Sequence, residues 1–151
     1  MKNDHMKLLL KSNLELLRRA LPSFTMSLEK CRRIDLSDGV SFDKEESFDA
    51  LTSKFARTSD IFTQKVLKSL ALMLREDAPT FIDRMNLCEK LGILPSAEDM
   101  ISVRDLRNLI AHEYVAENVL EIYRETLGLS AKLLEAISQA ERFIENLNTE
   151  G

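Results

Sequence analysis

The sequence predicts an all-α protein, an up-and-down bundle of four to five helices that forms one domain over residues 1–151. The chain has only four Gly and three Pro, which are too few turn-forming residues for an all-β fold. Leu, Glu, Lys, Arg and Ala, which are strong helix formers, dominate the composition. Apolar residues recur every three or four positions, as they do on amphipathic helices. A chain of this length can bury a substantial core.

The first predicted helix runs from about residue 5 to about residue 34 and is broken or bent near Ala20–Ser23. Pro22 is the reason, because a proline inside a helix removes a backbone hydrogen bond and costs about 3 kcal/mol. The residues after Met1 are expected to fray. The apolar face of the first half is formed by Leu8, Leu9, Leu14, Leu16 and Leu17.

A long second helix is predicted from about residue 43 to about residue 76, after a loop at 37–39. Ser41 or Asp43 can accept a hydrogen bond from a free N–H group at its start. The apolar stripe of this helix repeats phenylalanine every seven residues, at Phe48, Phe55 and Phe62. Such a stripe is typical of a core or of a helix-pair interface, and not of a ligand site.

Three more helices are predicted over about 80–91, from Ser96 onward, and over about 117–147, with a frayed end at 148–151. Gly92 stops the first of them, and the spacing of Ser96 and Asp99 resembles a capping box that starts the next. The helix that begins at Ser96 is expected to turn its apolar residues inward: Met100, Ile101, Val103, Leu106, Leu109 and Ile110.

The charge and the aromatic content argue against a general nucleic-acid coat protein. The net charge is −4, tryptophan is absent and aromatic residues make up 6%, so base-stacking platforms are not expected. The charge is uneven, however, because residues 1–33 hold eight Lys and Arg against three acidic residues. Such an uneven surface can still hold RNA locally, although a solvated helix face explains it equally well.

Cys31 and Cys88 lie far apart without the spacing of metal ligands. With two histidines in the chain, a zinc site has almost nothing to be built from, and we expect no metal and no cofactor. We interpret the cysteines as small buried residues of a reduced, cytoplasmic protein. No apolar run approaches the about 18 residues of a transmembrane helix, so no membrane association is expected.

The chemistry of the chain is expected in the predicted helical stretch Arg104–Tyr114. An ideal helix turns about 100° per residue, which places Asn108, His112 and Tyr114 on the same half of the helix surface as Arg107. An imidazole can take a proton from a ribose 2′-hydroxyl near neutral pH, and a guanidinium can stabilise the charge on a phosphate. A solvated polar face is the plainer interpretation of the same residues.

The spacing Arg107-x4-His112-x-Tyr114, with Asn108 after the arginine, resembles the signature of the HEPN superfamily. The form that ends in tyrosine resembles the HepT-like toxins and the small partner subunits of minimal nucleotidyltransferases. The resemblance implies a homodimer and a metal-independent endoribonuclease that cuts RNA through attack by the 2′-hydroxyl. Arg107 and His112 would be the catalytic residues, and Asn108 and Arg104 would hold the RNA substrate.

The resemblance also implies a second partner and a modification. In HepT-like systems a nucleotidyltransferase acts as the antitoxin and transfers AMP from ATP onto the tyrosine of the motif, here Tyr114. If the second predicted helix packs beside the motif helix, some of its polar residues border the site; the candidates are Thr52, Arg57, Asp60 and Gln64.

Two other functions stay open. The first is a non-catalytic HEPN-like subunit that binds a minimal nucleotidyltransferase or a nucleotide. The second is a purely structural helical dimerisation domain. The first arises because Asp105 and Glu113 lie beside or in the motif, where they would repel RNA unless they pair with Arg104 or Arg107.

Overall fold

The structure, a computed structural model, describes residues 2–112 and 119–150. Within these two ranges every regular element is a helix, and the predicted all-α bundle is confirmed. The elements in chain order are α1 (Lys2–Arg32), α2 (Phe42–Asp60), a π segment (Ile61–Val66), α3 (Leu67–Met73), α4 (Phe81–Lys90), α5 (Ala97–Ala111) and α6 (Val119–Glu150). The described helices therefore extend closer to both termini than the sequence predicts.

Helix α1 runs without interruption through Pro22, so the predicted break at this position is wrong. Packing of the helix on both sides of the proline outweighs the lost backbone hydrogen bond. The buried face of α1 also differs from the predicted one near its start, because Leu8 and Leu9 are exposed and Leu10 is buried. Leu14 and Leu17 are buried as expected.

Helix α2, the π segment and α3 form one continuous helical rod, close to the single helix that the sequence predicts. Ser41, rather than Asp43, caps its start by accepting a hydrogen bond from the Lys44 N–H group. In the π segment the N–H group of Leu67 bonds to the carbonyl of Phe62, five residues earlier. The wider turn is therefore a real change of hydrogen-bond register within the rod.

The π segment is tied to helix α1 by side chains. The carbonyl of Lys65 accepts hydrogen bonds from Asn13 Nδ2 at 3.2 Å and from Ser69 Oγ at 2.7 Å. Asn13 Nδ2 also lies 3.3 Å from Ser69 Oγ. Two contacts of Asn13 thus connect the N-terminal helix to the rod, one of them at the widened turn and the other at Ser69 of α3.

The rod ends at Met73, three residues before the predicted end, because the chain reverses there. The N–H group of Arg75 bonds to the carbonyl of Leu72, and that of Glu76 bonds to the carbonyl of Ala71. This is the Schellman arrangement, which places its left-handed residue at Arg75, with φ of 60°. The same arrangement ends α4 at Gly92, with φ of 79°, as the sequence predicts.

Helix α5 starts as predicted, because Ser96 Oγ accepts a hydrogen bond from the Asp99 N–H group at 3.1 Å. Its buried face includes Met100, Val103 and Leu106. Leu109 was expected inside but is 44% exposed, so that part of the prediction is wrong. The helix reaches its last turn at this point, and no described element covers the outer side of Leu109.

The core lies on the phenylalanine stripe of the rod, and Phe48, Phe55 and Phe62 are completely buried, as the spacing predicts. Phe55 meets Phe24 of α1 edge to face, with ring centroids 6.3 Å apart. Phe48 stacks on Tyr123 of α6 at 4.8 Å. The stripe thereby joins the first, second and last helices in one hydrophobic core.

Both cysteines carry free thiols and both are buried. Burial raises the pKa of the Cys88 thiol to about 11 and also raises the pKa of Cys31. The described part of the chain has no cluster of three or more metal-ligating side chains, and none of its helices is long and apolar enough to cross a membrane.

We expect Arg75→Gly to raise the free energy of unfolding by about 0.5–1 kcal/mol, because a left-handed conformation costs a residue with a Cβ more than it costs glycine. Urea denaturation measures this change. The matched control is Gly92→Ala, where an added Cβ meets no atom within 4 Å. Only the strain of the left-handed backbone then acts, and it should lower the free energy of unfolding by about 1 kcal/mol. Loss of stability in Arg75→Gly would contradict the interpretation.

Candidate functional site

The candidate site is centred on an ion pair between Arg107 of α5 and Asp60 at the end of α2. Arg107 Nε lies 2.8 Å from Asp60 Oδ1, and Arg107 Nη2 lies 2.8 Å from Asp60 Oδ2. Two parallel hydrogen bonds of this kind fix both the distance and the plane of a guanidinium. The pair raises the pKa of Arg107, chiefly because the guanidinium donates hydrogen bonds to the Asp60 carboxylate, and despite partial desolvation.

The fold brings these two residues together because both flank buried apolar residues. Asp60 is followed by Ile61 and Phe62, which are buried in the rod. Arg107 follows Leu106, which is buried under α5. The two helices therefore meet along their apolar faces, and the polar residues at the edge of that contact face each other.

A cleft of about 390 Å³ opens beside the ion pair, between the rod and α5. Its lining residues are Ser59, Asp60, Thr63, Gln64, Lys65, Arg104, Arg107 and Asn108. Three of the residues that the sequence singles out, Arg104, Arg107 and Asn108, are thus brought to one place. Cationic and amide groups in one cleft are suited to a phosphate or to another anion.

Arg104 is held by a different set of contacts from those of Arg107. Its guanidinium carbon lies 4.6 Å from the centre of the Phe81 ring, which is a cation–π contact. Arg104 Nη2 lies 3.4 Å from Asp105 Oδ1. Arg104 Nε is buried and makes no hydrogen bond within the described part of the chain. Each of the two cleft arginines therefore has one acidic neighbour. Asp105 pairs with Arg104, which is one of the two pairings that the sequence left open.

His112 is the C-terminal cap of α5, which ends at Ala111. Its backbone leaves the helical region, with φ of −108° and ψ of 28°. Its N–H group still bonds to the carbonyls of Asn108 and Leu109 at 3.2 and 3.1 Å, so His112 stays attached to the last turn of the helix. The helix that was expected to continue through the motif therefore ends one residue before His112. Its side chain is exposed and is not among the residues that line the cleft.

Tyr114, the residue expected to be modified, lies outside the described residues, as does Glu113.

The rod contributes more residues to the site than the sequence indicates. Of the four polar residues that border its apolar stripe, Asp60 and Gln64 line the cleft. Thr52 is buried instead, and Arg57 is not among the lining residues. The sequence names Asp60 only as one of four candidates and does not identify Arg107 as its partner, because the two residues are 47 positions apart.

A second cleft of about 410 Å³ lies on the other side of α5. It is lined by Ser102, Asp105, Leu106, Leu109, Glu125 and Leu129. The exposed Leu109 is therefore part of a shallow surface of mixed polarity between α5 and α6.

Comparisons of the chain with protein-family models, with curated proteins and with solved structures find no match.

We expect the Arg107–Asp60 pair to contribute only modestly to stability, because the side chains are 32% and 43% exposed. A double-mutant cycle with Arg107→Gln and Asp60→Asn should give a coupling energy of about 0.2–1 kcal/mol in urea denaturation. The partly exposed pair Arg18 and Glu141, at 3.6 Å and without bidentate geometry, is the matched control and should couple more weakly. A coupling energy above about 3 kcal/mol would mean that the pair is a structural element of the fold.

Proposed function

We propose that this protein is a HEPN-type toxin of a toxin–antitoxin pair, a metal-independent endoribonuclease neutralised by a nucleotidyltransferase that AMPylates Tyr114. The observation that carries the proposal is the oriented Arg107 guanidinium in a cleft that also holds Arg104 and Asn108. Two residues of the pattern that resembles HEPN motifs, Arg107 and Asn108, thus line a cleft whose side chains can bind a phosphodiester.

The proposed reaction is an internal transesterification. His112 takes the proton of a ribose 2′-hydroxyl, and the resulting oxygen attacks the adjacent phosphorus. Arg107 stabilises the added negative charge on the pentavalent phosphate. The bond from phosphorus to the 5′-oxygen breaks, and that oxygen takes a proton from an imidazolium. The products are a 2′,3′-cyclic phosphate and a 5′-hydroxyl, and water is not consumed.

A homodimer is part of the proposal, because one copy supplies one histidine to a reaction that uses both a base and an acid. A two-fold axis brings the same surface of two copies together. The exposed Leu109, three residues before His112, and Leu129 provide apolar side chains on the shallow cleft between α5 and α6. We infer that this surface contacts the second copy.

The proposed control by AMPylation acts through charge. AMP attached to Tyr114 adds a negatively charged phosphate to the same motif as Arg107, whose guanidinium would otherwise hold the RNA backbone. The modified protein would then bind RNA weakly, and its nuclease activity would stop without any change of fold.

A non-catalytic HEPN-like subunit is the second candidate, and one observation favours it. His112 is not among the residues that line the cleft of Arg107, whereas two acidic residues, Asp60 and Asp105, contact the arginines there. Such a protein would bind a minimal nucleotidyltransferase or a nucleotide without cutting RNA. A structural dimerisation domain is the third candidate, and it predicts that replacing the motif residues changes no activity.

We expect expression of the wild-type protein to arrest growth and to produce RNA with 2′,3′-cyclic phosphate ends. His112→Ala should lower the cleavage rate by about 10²–10⁴-fold, because it removes the general base. The matched control is His5→Ala, which removes the other histidine of the chain and should leave cleavage unchanged. Intact RNA and normal growth with the wild-type protein would favour the non-catalytic subunit.

We expect a nucleotidyltransferase encoded beside this protein to transfer labelled AMP from ATP onto the wild-type chain and not onto Tyr114→Phe. Tyr123→Phe is the control, because Tyr123 is the only other tyrosine and is buried against Phe48. Mass spectrometry of the labelled peptide locates the modification. Equal labelling of Tyr114→Phe would exclude Tyr114 as the acceptor.

A further inference from the structure

We propose that Asp60 is a positioning residue of the nuclease site, which holds the Arg107 guanidinium so that its free edge faces the phosphate of the RNA. The inference rests on the proposed nuclease function and adds to it a residue from outside the motif. It starts from the bidentate contact between these two side chains, at 2.8 Å on each side.

The hydrogen-bond donors of Arg107 are divided into two edges. A guanidinium has five N–H groups, of which Asp60 takes the one on Nε and one of the two on Nη2. The remaining Nη2 hydrogen and the two on Nη1 form the outer edge. That edge can bind two oxygens of a phosphate in the same bidentate manner. Asp60 thus orients the arginine without using the donors that a phosphate requires.

The surroundings of the pair match this geometry. Gln64, Lys65 and Asn108 line the same cleft and add an amide donor, an ammonium and a second amide. Thr63 lines it too, but its hydroxyl is already bonded to the carbonyl of Ser59 at 2.8 Å. The cleft therefore holds several donors besides Arg107, which suits a ligand that accepts hydrogen bonds, such as the phosphate backbone of RNA.

The rod gives Asp60 a rigid base for this role. Asp60 is the last residue of α2, and the π segment begins at the next residue, with Ile61 and Phe62 buried in the core. The carboxylate is therefore attached to backbone whose position is fixed by packing. A long, flexible arginine held by such a carboxylate loses its freedom before the substrate binds, which favours the transition state.

The charge of Asp60 has the opposite effect on the ground state. A carboxylate beside Arg107 offsets part of the positive potential that attracts RNA. Removing the charge should therefore maintain or strengthen the binding of RNA, while loss of orientation slows the chemical step. If Asp60 only supported the fold, its replacement would weaken RNA binding and slow the chemical step together.

The test compares wild type, Asp60→Asn and Asp60→Glu on a short RNA substrate. The measurements are kcat, KM and the Kd for the same RNA with 2′-deoxyribose at the cleaved position. Asp60→Asn should lower kcat by about 10- to 100-fold while its Kd stays equal to or below that of wild type. Asp60→Glu, which keeps the carboxylate, should recover part of kcat. Asp38→Asn in the exposed 37–39 loop is the control and should match wild type.

The possible failures can be distinguished. If wild-type protein does not cut RNA in a manner that depends on His112, the proposed function fails and the role of Asp60 fails with it. If wild type cuts RNA but Asp60→Asn retains its kcat, the positioning role alone is overturned. It is also overturned if kcat falls equally in the Asn and Glu variants together with a weaker Kd. Circular dichroism of each variant confirms that folded protein is being compared.

Discussion

The packing of the phenylalanine stripe determines where the polar residues of this protein meet. Phe48, Phe55 and Phe62 are fully buried, and they fix the rod between the first helix and the last two. Because a helix buried on one face has little freedom to rotate, the residues at the edge of that face are also fixed. Asp60 is one of them, and its contact with Arg107 follows from the packing of the core rather than from attraction between two surface charges.

The helices and most of their caps could be predicted from the sequence, because periodic apolar residues and capping side chains are local signals. Ser96 and Gly92 act as predicted. The end of α3 could not be predicted, since Arg75 adopts a left-handed conformation that ordinarily selects glycine. The end of α5 at Ala111 is also earlier than the sequence indicates, because apolar periodicity does not mark where a helix ends. The sequence selects Asp60 only as one of four polar residues that could border the site, because its contact with Arg107 spans 47 residues and no local pattern identifies the partner.

The acidic residues around the cleft change how the cationic residues can act. Arg107 is paired with Asp60 and Arg104 with Asp105, so neither guanidinium presents its full charge to a ligand. Such a site selects its ligand by the orientation of hydrogen-bond donors more than by total charge. Each carboxylate occupies some donors of its arginine and leaves the others open to a ligand. The net charge of −4 is compatible with such a site, although it is unfavourable for non-specific binding of RNA.

The hydrogen bonds of the widened turn extend the site to the beginning of the chain. Asn13 of α1 donates to the carbonyl of Lys65, whose own side chain lines the cleft. The N-terminal helix therefore supports the backbone of one wall of the cleft through this hydrogen bond. Helix α1 carries most of the excess basic charge of residues 1–33, and it also serves as a mechanical support of the cleft. Loosening that helix would disturb the cleft without touching any residue inside it.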